Sequence, residues 1–105
     1  MKVLLVHSDE ALLEALGERL SYEGFRVVPL TPLQNILAAL YREDPEIVLL
    51  NWPCEGVTMN DLNDWKDSKT KASRFETVAP ENIDAEQLFL RVQELSEAIL
   101  REKKT

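Results

Sequence analysis

Cysteine is almost missing from this chain: Cys54 stands alone among 105 residues. A single thiol can close no intrachain disulfide, and it suits a reducing compartment, so a cytoplasmic protein is expected. Histidine is equally scarce, with His7 alone. His7 and Cys54 together offer two soft ligands, whereas structural zinc usually takes four, so no metal site is expected. Basic residues are few, 12 Lys and Arg against 19 Asp and Glu, for a net charge of −7. That balance argues against a nucleic-acid backbone binder, which needs clustered cations to displace counterions. The one local basic cluster, Arg101-Glu102-Lys103-Lys104, reads as a helix end. Long apolar runs are missing too. The start, Met1 to Val6, is too short for a signal peptide. No stretch approaches the roughly 20 apolar residues of a membrane span.

What is present is an ordinary globular composition, 45% hydrophobic and 30% charged, at a length that suits one domain over residues 1–105. Such a chain buries roughly two-thirds of its unfolded surface, enough for a core without metal or disulfide. Val3 to Val6 is a continuous apolar run of strand length, as in parallel sheets covered on both faces. Ser8 or Asp9 can cap a following helix, with Leu12, Leu13, Leu16 and Leu20 on one face and Gly24 as its stop. Phe25 to Leu30 is a second strand, and Pro29 within it removes a ladder donor, which favours an edge. Thr31-Pro32-Leu33-Gln34 predicts a helix start with Thr31 as cap and Gln34 completing a capping box. Leu33, Ile36, Leu37 and Leu40 form its stripe, and Glu46 to Leu50 is a third strand.

The order so far, β-α-β-α-β with short connections, predicts a parallel sheet with helical crossovers. Ligand sites in such sheets lie at the carboxyl ends of strands, here His7 and Ser8, and Asn51 to Gly56. Further on, Met59, Leu62 and Trp65 fit one face of a short helix capped by Thr58 or Asn60. Asp64 to Lys71 is polar and reads as loop. Arg74 to Ala79 alternates as a strand, and Asp84 to Lys103 is a long helix with Ala85, Leu88, Val92, Leu95 and Ile99 as its core stripe.

These residues resemble a response-regulator receiver domain. The resemblance rests on Lys2-Val3-Leu4-Leu5-Val6, Gly24-Phe25-Arg26-Val27-Val28 and Pro45-Glu46-Ile47-Val48-Leu49-Leu50-Asn51, with Gly56 in the following loop. Val78-Ala79-Pro80 followed by Asp84-Ala85-Glu86-Gln87-Leu88 is similar to the family's last strand, Lys-Pro turn and final helix. The resemblance implies a flavodoxin-like three-layer α/β/α fold. It also implies a missing βα unit, since the stretch from Gly56 to Pro80 is about twenty residues too short for the family's remaining strand and helix at typical element sizes. The expected sheet therefore has four parallel strands in the order 2-1-3-4. The missing unit belongs to the surface through which many receivers dimerise or signal.

Family chemistry needs an acidic pair for Mg²⁺, an acceptor Asp and a Lys. By the resemblance these positions hold His7 and Ser8, Asn51, and Ala79. A His–Ser pair poorly replaces hard oxygen ligands, an amide cannot attack phosphorus, and an alanine neutralises nothing. Asp9 and Glu10 suit the helix dipole better than a metal. The expectation is a degenerate, non-phosphorylatable receiver-like signalling module without cofactor or catalysis, acting by contact with a protein partner or as a homodimer. Phe89 and Leu100 lie about a quarter-turn from the core stripe of the last helix and Leu90 lies opposite it, a candidate interaction surface. Trp52 is either exposed for docking or folded onto the shortened sheet. Asn51 either bonds neighbouring loop amides or meets a small ligand. The reading from a different class is a small flavodoxin-like enzyme or ligand-binding domain with a His7, Asn51 and Cys54 pocket.

Overall fold

A computed structural model describes residues 1–32, 34–54, 56–69, 72–79 and 84–103. Its strands are β1 (Lys2–Val6), β2 (Arg26–Leu30), β3 (Ile47–Asn51) and β4 (Arg74–Val78). Its helices are α1 (Glu10–Tyr22), α2 (Ile36–Glu43), α3 (Met59–Ser68) and α4 (Ala85–Lys103). The strands pair in parallel in the order β2-β1-β3-β4, as expected, with Leu4 opposite Val28 on one side and Val48 on the other.

The two central strands are apolar on both faces because both faces are covered. Val3 to Val6 and Ile47 to Leu50 are all buried. Side chains alternate across a strand. Val3, Leu5, Ile47 and Leu49 therefore join the buried residues of α1 and α4 in one layer. Leu4, Val6, Val48 and Leu50 join those of α2 and α3 in the other. Trp65 anchors this second layer, 1% exposed, with its indole N–H donating to the Leu40 carbonyl at 3.2 Å.

β2 is an edge strand, and Pro29 explains how. Arg26 N–H donates to Met1 O at 2.9 Å and His7 N–H to Leu30 O at 3.2 Å, so residues 26, 28 and 30 turn their peptide groups toward β1. Residues 27 and 29 turn theirs outward, and the donor that Pro29 lacks is one the sheet does not use. Gly24 follows α1 with φ of 95°, a conformation that side chains with a Cβ rarely adopt, and so ends the helix as expected.

Three local readings are corrected. Thr31 does not cap α2. Thr31 and Gln34 instead close a turn, with Gln34 N–H on Thr31 O at 3.1 Å and Thr31 N–H on Gln34 Oε1 at 2.8 Å. The helix starts beyond it, capped by Asn35, whose Oδ1 accepts from Ala38 N–H at 3.0 Å. The stripe residue Leu33 lies outside the described residues, as do Lys71, Pro80 and Lys104. Residues 64–68 are helix and not loop. A full capping box between Thr58 and Asp61 starts α3, and burial of Leu62 and Trp65 holds it although its other faces are polar. Met59, expected in that core, is 42% exposed because it sits in the first turn, ahead of the buried pair.

α4 is fixed to β4 by charge. Arg91 forks onto both carboxylate oxygens of Glu76, with Nη2 to Oε1 at 2.7 Å, and reaches Glu94 at 2.8 Å. These carboxylates hold the guanidinium proton more tightly than usual. Arg74 pairs with Glu102 near the other end of the helix.

Candidate functional site

The candidate site is the carboxyl-end rim of the sheet, where β1 and β3 stop side by side. Val6 and Leu50 are register partners, so the next residues, His7 just past the end of β1 and Asn51 at the last position of β3, are neighbours. His7 is 5% exposed and Asn51 6% exposed. His7 Nδ1 accepts the backbone N–H of Asp9 at 2.9 Å. A ring nitrogen that accepts carries no proton, which leaves the imidazole proton on Nε2. That Nε2 is buried without a hydrogen-bond partner among the described residues. His7 also lines a void of about 10 Å³, together with Leu5, Leu49, Val78 and Leu88 among others.

Asn51 donates from Nδ2 to the Ser8 hydroxyl oxygen at 3.2 Å, while its own Oδ1 is buried without a partner among the described residues. The rim thus brings together the three positions at which the resemblance placed an acidic pair and an acceptor, and fills them with a neutral imidazole–hydroxyl–amide set. Asp9 is committed elsewhere: its carboxylate caps α1 by accepting Leu12 N–H at 3.1 Å. Ala79, at the lysine position, is exposed just after β4. Gly56 takes φ of 84°, so the loop after β3 makes the left-handed turn expected of its glycine.

Cys54 does not join this set. It is 4% exposed in the α2/α3 layer with Val57, Leu62 and Trp65, whereas His7 borders the α1/α4 layer. The two side chains belong to opposite layers, and among the described residues no pocket is lined by His7, Asn51 and Cys54 together. Burial pushes the Cys54 thiol up from its ordinary value, which suppresses the nucleophilic thiolate.

Of the interaction candidates, Leu90 and Leu100 are 46% and 49% exposed. Trp52 is partly buried against the α2/α3 layer. Phe89 is corrected: it is 3% exposed in the α1/α4 core. The guanidinium of Arg19 lies 4.1 Å from its ring centroid, because α1 lies alongside α4 and widens its buried stripe. Missing from the sequence reading was the Ser8–Asn51 bond, for which spacing carries no signal. Missing too was a groove between α1 and β2, which Gly17 in mid-helix and acids four residues apart do signal.

The sheet order and the two helical layers define a flavodoxin-like α/β fold, receiver-like in its first three strands and shortened after them. No family model and no curated protein matches the sequence. Among solved structures, the fold is similar to that of the anti-anti-sigma factor PhyR from Bartonella quintana, with a TM-score of 0.52 and 11% identity. The match covers 92% of this chain and 51% of that one, so this chain spans about half the length of that neighbour. A likeness at such identity is a likeness of fold.

Proposed function

We propose that this chain is a receiver-like signalling module that accepts no phosphoryl group and acts by contact with another protein or with a second copy of itself. The observation that carries the reading is the Asn51–Ser8 pair at the rim. Where a phosphorylation switch needs a nucleophilic carboxylate beside hard metal ligands, the rim holds an amide bonded to a hydroxyl, next to a buried neutral imidazole. The solved neighbour is named as an anti-anti-sigma factor, which supports a regulatory role in general. Leu90 and Leu100 on α4 and the partly exposed Trp52 are the apolar side chains we assign to partner contact.

Incubation with a small-molecule phosphodonor and Mg²⁺ tests this. The intact mass is expected to stay that of the untreated chain. Stoichiometric, Mg²⁺-dependent gain of a phosphoryl group overturns the reading. Sedimentation then separates the two kinds of partner, since a second copy gives a concentration-dependent dimer that Leu90→Asp or Leu100→Asp weakens.

A further inference from the structure

The groove between α1 and the edge strand β2 has the chemistry of a receptor for a basic helix. It is a shallow, open groove of about 570 Å³, lined by Leu13, Gly17, Val27 and Pro29 with Glu14 and Glu18 beside them. Tyr22, 91% exposed, stands at one end. Gly17 keeps the floor open: a Cβ built there meets only Val27 Cγ1, at 3.6 Å. A helix interior disfavours glycine relative to alanine, so its effect here is the space it leaves.

The rim of the groove is of one sign. Glu14 and Glu18 line the groove, and Glu10 stands one turn earlier on α1 at the same four-residue spacing. All three are exposed, and none has an ion-pair partner among the described residues. The basic residue of this helix, Arg19, turns the other way, to Glu86 and Phe89 on α4. Along a helix axis the three carboxylates step by about 6 Å, the step of Lys or Arg side chains four apart on a second helix laid alongside.

An added β-strand suits the groove less well. Of the residues turned outward on β2, Val27 has an N–H to offer and Pro29 has none. Recognition here must come from side chains.

We propose that this groove docks a basic amphipathic helix of a partner protein, its apolar face on Leu13, Gly17, Val27 and Pro29 and its Lys or Arg row on Glu10, Glu14 and Glu18. The assignment goes beyond the protein-contact reading by adding a second contact surface and naming its partner's chemistry, and the two fail separately. Phosphorylation at the rim would remove the signalling reading and leave the groove; absence of helix binding would remove the groove and leave the rim.

The test uses the full chain and a fluorescent synthetic peptide whose helix carries leucine on one face and lysine on the other. Binding is expected by anisotropy, with amide shifts concentrated at Gly17, Val27 and Tyr22. Glu14→Lys with Glu18→Lys should weaken it about tenfold or more and reduce its salt dependence. Gly17→Met should weaken it comparably while leaving the melting temperature unchanged or higher, since it fills the floor and removes a helix glycine. Glu97→Lys, an exposed reversal on α4, should change it less than about twofold. Equal loss from Glu97→Lys, equal binding of a leucine–glutamate peptide, or shifts mapping elsewhere would overturn the proposal. So would a dimer of the chain that Glu14→Lys with Glu18→Lys dissolves, because a second copy would then occupy the groove.

Discussion

Restoring a carboxylate at the rim by Asn51→Asp should not restore a phosphorylation switch, and should cost stability. The change replaces an amide that is 6% exposed and donates to Ser8 Oγ at 3.2 Å. An ionised carboxylate at that depth loses several kcal/mol of solvation even after relaxation. One donor is in reach to offset part of this, the Ser8 hydroxyl, which can rotate to donate. A hydrogen bond to a charged group contributes about 1.5–3 kcal/mol. One such bond leaves a net loss of about 2–3 kcal/mol at neutral pH, or roughly 10–20 °C in melting temperature for a domain of this size.

The sign with pH is fixed by the same burial. Burial disfavours the ionised form, so the introduced Asp titrates higher in the folded chain than in the unfolded one. Its cost is therefore absent below the unfolded value and grows as pH rises through the folded one. Urea unfolding of parent and variant, followed by tryptophan fluorescence at pH 5 and pH 7, should show the gap between them widening at the higher pH. A phosphodonor with Mg²⁺ should add nothing to the variant, because positions 7, 8 and 79 still hold His, Ser and Ala. A variant as stable as the parent at neutral pH, or one that takes up a phosphoryl group, would refute the description of the rim as a dry, neutral pocket without a metal cage.

Cys54, with its thiol pushed up by burial, should alkylate far more slowly in the folded chain than in urea, and intact mass against time measures this. Labelling as fast as a small free thiol would contradict its place in the core. Trp65→Phe should cost about 1–3 kcal/mol in chemical denaturation, since it opens a gap and removes one of the two hydrogen bonds that the Leu40 carbonyl accepts, leaving the one from Asp44 N–H. Phe89→Ala should cost about 3–5 kcal/mol, whereas Leu90→Asp should stay within about 0.5 kcal/mol of the parent and show itself only in association. Equal costs at the two positions would mean that α4 is rotated from the orientation described.

The legible elements were those whose signal is a requirement of the fold. A parallel strand covered on both faces has no polar position, and Val3 to Val6 and Ile47 to Leu50 read accordingly. Pro29 could be placed at an edge because a ladder has no use for a residue without an N–H. Where the reading slipped, two structures shared one local pattern. The Gln34 side chain accepts Thr31 N–H as in a capping box, but the same bond closes a turn, and only the chain beyond it decides which. Asp64, Lys66, Asp67 and Ser68 suit a loop as well as the exposed side of a helix, and the difference was made by Trp65 finding the Leu40 carbonyl twenty-five residues away. Phe89 fell outside the stripe of α4 taken alone, and entered the core because α1 lies beside it.

The rim divides along the same line. Which groups are lacking there is a matter of residue identity, and positions 7, 8, 51 and 79 could be compared with a pattern without any coordinates. What the residues present do instead depends on where neighbouring strands end. Asn51 meets Ser8 because β1 and β3 stay in register up to Val6 and Leu50, and His7 turns Nδ1 to the Asp9 N–H because the chain bends at once to let Asp9 cap α1. Cys54 follows His7 and Asn51 in chemistry but not in space, since the chain after β3 crosses to the α2/α3 layer before α3 begins. The fold thus converts a set of missing reactive groups into a closed, neutral edge, and leaves α4 and the acidic flank of α1 as the surfaces proposed here for contact with a partner.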